Sequence, residues 1–257
     1  MGDILSWLTE YDIPVAEVGG WRTRRHAGAF TPVGVMVHHT GSENSSMVTI
    51  RDGHSRLAGP LAQLYVEQIP HPKVWLISQG KCWHAGSGSP VQLERTQQGL
   101  APLSRAPDPE DGNGNQWYWG IEIEGDTPDD FDDERYQLSV RCTAAILDAN
   151  GWGPERVIAH KEWTKRKVDP AFNMTVFRDH VANEIEAHDM AQFTEEEVKQ
   201  LKGLVLGLKK VDSTGYGLRH AVTLVRKERN MPLHTPVEVL TDDDVLKPGD
   251  TVTLEKA

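Results

Sequence analysis

Three side chains in this sequence have the types needed to hold a divalent metal: His38, His160 and Asp169. His38 closes the apolar run VGVMVHH, His160 closes RVIAH, and Asp169 follows nine positions later in KVDP. A catalytic zinc site takes three protein ligands, drawn from His, Cys and carboxylates, and keeps a fourth position for water. Ends of strands that face one side of a sheet are a sound place for such ligands to converge. Side chains alternate along a strand, so His38 and His39 must point to opposite faces and only one can serve this metal. Spacing alone does not select these residues. The chain has 11 His, and an isolated His is more often packed or solvated than a ligand.

The elements that must position these groups can be read from pattern. Residues 2–10 suit a short helix ending before Pro14. The runs 33–39, 61–69, 73–79 and 117–124 read as strands, the first of them buried because it is apolar without alternation. Residues 132–149 form the clearest helix, with Leu138, Ala145 and Ile146 at helical spacing and a stop at Asn150-Gly151. Residues 156–160 read as a short strand or loop, and 175–188 as another helix. Residues 86–115 are rich in Gly, Ser, Pro and Asp and read as a long surface loop, one wall of a cleft. Arg95 and Arg105 in that loop could meet carboxylates, although solvated loop charges are the plainer reading.

Four motifs, VMVHHTGS, KCWHAGSGS, WGIEIEG and AHKEW followed by KVDP, occur here in the order found in type 2 N-acetylmuramoyl-L-alanine amidases. That family shares its fold with peptidoglycan recognition proteins, and the resemblance spans roughly residues 20–180. It implies an α/β (α+β) fold: a central mixed β-sheet flanked by helices. It implies zinc as cofactor, with His38, His160 and Asp169 as the ligands and His39 left structural. It places a catalytic Glu at Glu122, which would take a proton from water activated by the metal. Glu124 would share a face with Glu122 if the strand is regular, so it remains an alternative. The family often carries a Lys where Lys167 stands, to stabilise an oxyanion, with Lys165 and Arg166 as neighbours that complicate the choice. His84 matches a substrate-contacting position, and Trp83 beside it would either stack on substrate or join the core. The strand LAQLYV has Gln63 where many relatives carry His, which shifts the burden of catalysis onto Glu122. His54 and His71 have no motif support and read as surface residues.

The chain has 257 residues, 38% of them hydrophobic, enough for a real core. A net charge of −11 gives no support for nucleic-acid binding. Cys82 and Cys142 have no metal-ligand spacing and read as buried or free thiols. No basic-then-apolar leader and no apolar stretch of about 18 residues is present, so neither a secretory signal nor membrane insertion is expected. The expectation is a lysin made in the host cytoplasm and released to the wall by another factor. The motif order resembles an endolysin of a phage infecting actinobacteria, with bacterial peptidoglycan as its partner.

The texture changes near residue 190, which divides the chain into a catalytic domain, 1–189, and a C-terminal module, 190–257. The module opens on Thr194 as an N-cap and carries the stripe Leu201, Leu204, Val205 and Leu208. Wall binding by tethering, self-association and plain stabilisation are its possible roles. For the catalytic domain, hydrolysis between N-acetylmuramic acid and L-alanine is the leading reading. The competitors are a non-catalytic recognition module, which typically lacks the third metal ligand, and a zinc peptidase cutting the stem peptide.

Overall fold

The computed structural model describes residues 2–42, 45–68, 72–125 and 133–191. The chain divides into two compact units, Met1–Glu184 and Ile185–Ala257. The readings for 192–257, including the Leu201–Leu208 stripe, and the reading of His71 lie outside the described residues.

Helix α1 (Ile4–Glu10) starts where the Asp3 carboxylate accepts the Leu5 N–H at 3.1 Å. It buries Ile4, Trp7 and Leu8, the i, i+3, i+4 stripe of an amphipathic helix. Strands β1 (Val15–Glu17) and β2 (Gly34–His39) follow, then α2 (Met47–Asp52), capped by Ser46. A small hairpin, β3 (Gly53–His54) with β4 (Leu57–Ala58), leads into β5 (Leu64–Glu67) and β6 (Lys73–Leu76). Strand β7 (Ser87–Gly88) precedes helix α3 (Pro90–Gln97) and pairs with β8 (Gly112–Asn113). Then come β9 (Tyr118–Ile123), α4 (Asp133–Ala149), β10 (Val157–Ala159), the one-turn α5 (His160–Trp163) and α6 (Met174–Ala191).

Six strands form one sheet in the order β1-β6-β5-β9-β2-β10, with β5 and β6 antiparallel and every other pair parallel. The sheet is therefore mixed, as expected from the sequence. Parallel strands covered on both faces need near-continuous apolar runs. Gly34 to His38 in β2 are all buried, and only Glu122 breaks the buried run of β9. On one face Trp7 of α1 meets Trp119 edge-on at 5.7 Å, and α4 packs on α1 and crosses β2, β5 and β9. On the other face Met36, Tyr118, Ile158, Ala85 and Trp163 form a buried cluster. Each fully buried large apolar side chain of this kind contributes about 1.5–3 kcal/mol relative to exposure.

The stretch 86–115, read from sequence as loop throughout, contains helix α3, and this corrects that reading. Pro90 sits in the first turn, where its fixed φ suits a helix start. The buried face of α3 is Gln92 and Thr96, not an apolar stripe. Gln92 Nε2 donates to the carbonyls of Leu103 and Glu162, and its Oε1 accepts from Leu103 N–H. A helix anchored through polar contacts shows no hydrophobic period. Arg95 donates to the Ala101 carbonyl, and Arg105 is exposed. Cys82 and Cys142 are both free and buried, and His54 is exposed. No helix among the described residues is long and apolar enough to cross a membrane.

Candidate functional site: a His–His–Asp triangle at the strand ends

The register of three parallel strands sets the site. His38 of β2 lies opposite Glu122 of β9, and Ala159 of β10 lies opposite Val37, which puts His160 one step further along, beside His38. Cross-strand neighbours point to one face, so a row of chemical groups forms at the C-terminal end of the sheet. Chain reversal into α5 follows at His160. There Glu162 Oε2 accepts the Ala159 N–H at 2.9 Å and pairs with Arg178 of α6 at 3.0 Å. The segment carrying Asp169 is tied back to the same turn. Lys161 N–H donates to the Asp169 carbonyl at 2.7 Å, and Lys161 Nζ donates to the Phe172 carbonyl at 2.8 Å.

The result is a tight triangle. His38 Nδ1 and His160 Nδ1 are 2.9 Å apart, and Asp169 Oδ2 lies 3.3 Å from the first and 3.1 Å from the second. All three residues are buried. Burial and the neighbouring His160 push the His38 imidazole down to about 4, only partly offset by its hydrogen bond to Asp169. His38 is therefore a neutral ring near pH 7, the form that binds metal. Burial alone would raise the Asp169 carboxyl. The contacts of Asp169 with His160 and His38 outweigh it and hold Asp169 far below the usual carboxylate range. Two imidazole nitrogens and one carboxylate oxygen are a zinc donor set. With metal–ligand bonds of about 2.0–2.1 Å, tetrahedral donors sit about 3.3 Å apart. The observed edges match this within a few tenths of an ångström, so the residues present fit the ion.

A family model described as N-acetylmuramoyl-L-alanine amidase matches residues 29–172, more than half of the 257 residues and all three donors. The chain belongs to the N-acetylmuramoyl-L-alanine amidase family. No curated protein sequence matches this amidase-family chain. Among solved structures, the endolysin N-acetylmuramoyl-L-alanine amidase LysCS of Clostridium intestinale is 16% identical with a TM-score of 0.43, covering 63% of this chain and 90% of its own. The hydrolase AmiA of Staphylococcus aureus, solved with its ligand, is 13% identical with a TM-score of 0.47 over 76% and 95% of the two chains. AmpDh3 of Pseudomonas aeruginosa, solved with anhydromuramic pentapeptide, is 13% identical with a TM-score of 0.43 over 79% and 87%.

The sheet register also separates the two carboxylates of this amidase-family member. Glu124 is buried, with Oε2 accepting the Gln68 N–H at 2.8 Å. Glu122 Oε2 is buried with no hydrogen-bond partner among the described residues. Burial, and then the charge of Asp169, push the Glu122 carboxyl well above its usual range, while Lys167 pulls in the other direction. The three neighbouring cations separate in the same way. Lys165 pairs with Asp108 at 2.6 Å, and Arg166 donates to the Ser87 carbonyl at 2.6 Å. Lys167 is exposed, has no ion-pair partner among the described residues, and lines a cavity of about 430 Å³. Trp83, His84, Asn115, His160 and Arg166 line the same cavity.

Trp83 is not a core residue. It is 39% exposed and stacked on His26 with ring centroids 3.7 Å apart. His84 is buried, and both its ring nitrogens face protein atoms. Gln63 is a splint between strands: its Oε1 accepts the Gly120 N–H at 2.6 Å and its Nε2 donates to the Gly80 carbonyl at 2.8 Å. Asn115 escaped the sequence reading. Its Oδ1 accepts the N–H groups of His84, Ala85 and Gly86 at 3.0, 2.9 and 3.1 Å, which shapes the loop on the cavity wall. Its setting in GNGNQ, a cluster of turn-forming residues, was the available signal.

Proposed function

We propose that this family member is a zinc-dependent amidase that hydrolyses the bond between N-acetylmuramic acid and L-alanine of bacterial peptidoglycan. The observation that carries the reading is the buried triangle of two imidazole nitrogens and a carboxylate oxygen, beside Glu122 Oε2, which has no hydrogen-bond partner among the described residues. His38, His160 and Asp169 would hold the metal. Zinc bound there would supply Lewis acidity, polarising the scissile carbonyl and making water a nucleophile near neutral pH. Glu122 takes the proton from the attacking water and passes it to the leaving amine, general acid–base work worth about 10²–10⁴-fold. Lys167 sets a cation where negative charge develops on the carbonyl oxygen, and one such fixed group contributes about 2.7–4 kcal/mol to the barrier. The exposed face of Trp83 offers a flat apolar surface to the sugar or the stem peptide. A setting in phage-induced lysis extends the proposal on the order of the sequence motifs.

Mass spectrometry of purified peptidoglycan digested by the full chain tests the bond. The proposal expects new free amino termini on L-alanine and glycan strands with intact N-acetylmuramic acid. New termini inside the stem would make the chain a peptidase. Binding to the wall with no released fragments would make it a recognition module.

A further inference from the structure

His38 has two ring nitrogens, and the site uses both. Nδ1 faces His160 and Asp169, while Nε2 lies 2.9 Å from His84 Nδ1. His84 Nε2 in turn lies 3.1 Å from the Tyr118 carbonyl oxygen. A carbonyl oxygen only accepts, so the hydrogen of the His84 ring sits on Nε2. In a neutral imidazole that leaves His84 Nδ1 as an acceptor. The hydrogen that fills the contact between the two rings must then come from His38 Nε2. This leaves the Nδ1 lone pair of His38 facing the other two donors.

We infer that His84 is a positioning residue that fixes the tautomer and ring plane of His38 for metal capture, through a relay that starts at the Tyr118 carbonyl. The inference rests on the metal site of the proposed function and adds a residue outside the three donors. Groups that orient a metal-binding His through its second nitrogen typically set metal affinity by about 10–100-fold.

The surroundings are built for this contact. The two rings stand at 90° with centroids 5.1 Å apart, and the facing nitrogens are 2.9 Å apart. The His84 ring lies on β9 at Gly120, where an added Cβ would come within 2.7 Å of ring atoms. Asn115 holds the backbone of the same loop through three N–H groups. The ring is thus fixed by strand, carbonyl and loop. A residue that reads substrate needs a ring nitrogen left for it, and both of His84's are committed within the protein. Gln63, just before β5, cannot replace it, because both ends of its amide are bound to backbone.

Zinc titration of the metal-stripped full chain against a competing chelator tests the inference without reference to activity. His84→Phe keeps a flat ring and loses both hydrogen bonds. It is expected to weaken zinc binding about 10–100-fold while the metal-free protein keeps its near-UV circular dichroism. His84→Asn restores an acceptor toward His38 Nε2 and should recover part of that loss. Zinc affinity of a folded His84→Phe within threefold of wild type would overturn the inference and leave the proposed function standing. A wild-type chain that takes up no zinc would remove both. Should His84→Phe fail to fold, Gly120→Ala pushes the His84 ring while leaving the residue in place. Weaker zinc binding by that variant supports the relay, and unchanged binding overturns it.

Discussion

Asp169→Ala is expected to lose zinc and to lower wall hydrolysis by about a thousandfold or more. A metal acting as Lewis acid is worth several kcal/mol at the transition state, and each 1.36 kcal/mol is a factor of ten. Asp169 is the only anion in the triangle and lies within 3.3 Å of both imidazole nitrogens. Without it the site offers two imidazole donors, too few for a closed catalytic centre. Zinc content after dialysis and turbidity loss of purified walls give the two readings. Asp169→Cys returns an anionic donor to the same backbone position and should recover part of the zinc. Full hydrolysis by Asp169→Ala would mean that the metal, if any, sits elsewhere.

Glu122→Gln should separate chemistry from metal binding. The amide keeps the shape but cannot take a proton, so the turnover number should fall about 10²–10⁴-fold while zinc content stays at the wild-type level. The pH profile carries a second sign. A general base works only when deprotonated, so activity falls as pH drops through its pKa. Burial and Asp169 raise the Glu122 carboxyl above its usual range, which places that acid limb at higher pH than an ordinary Glu would give. The limb should vanish in what activity Glu122→Gln retains. Glu124→Gln is the control. Its carboxylate oxygen accepts from Gln68 N–H, a contact an amide oxygen can keep, so the turnover number should stay near wild type. The reverse pattern, with Glu124 essential and Glu122 dispensable, would reassign the base.

Much of the frame could be read from residue pattern: β2 shows its burial on both faces as an apolar run, and β9 is buried throughout except at Glu122. Helix α4 was legible by its period and stop, and α1 as a short helix ending before Pro14. Helix α3 was not, since Gln92 and Thr96 anchor it through hydrogen bonds that leave no hydrophobic signature. His38, His160 and Asp169 were legible as residue types near strand ends, and the motif order grouped them. What the sequence left open was decided by partners distant in the chain. Glu122 faces the triangle because the β2–β9 register puts it opposite His38. Lys167 stands apart from Lys165 and Arg166 because Asp108 and Glu110, more than fifty positions earlier, engage those two. The burial of His84 depends on a missing Cβ at Gly120. None of these pairings is encoded in local spacing.

Diffraction from zinc-soaked crystals, recorded on both sides of the zinc absorption edge, addresses the metal centre most directly. A single strong anomalous peak is expected, bonded to Nδ1 of His38, Nδ1 of His160 and Oδ2 of Asp169 at about 2.0–2.2 Å. A peak bound to other residues, or no peak in a crystal whose protein hydrolyses peptidoglycan, would contradict the account.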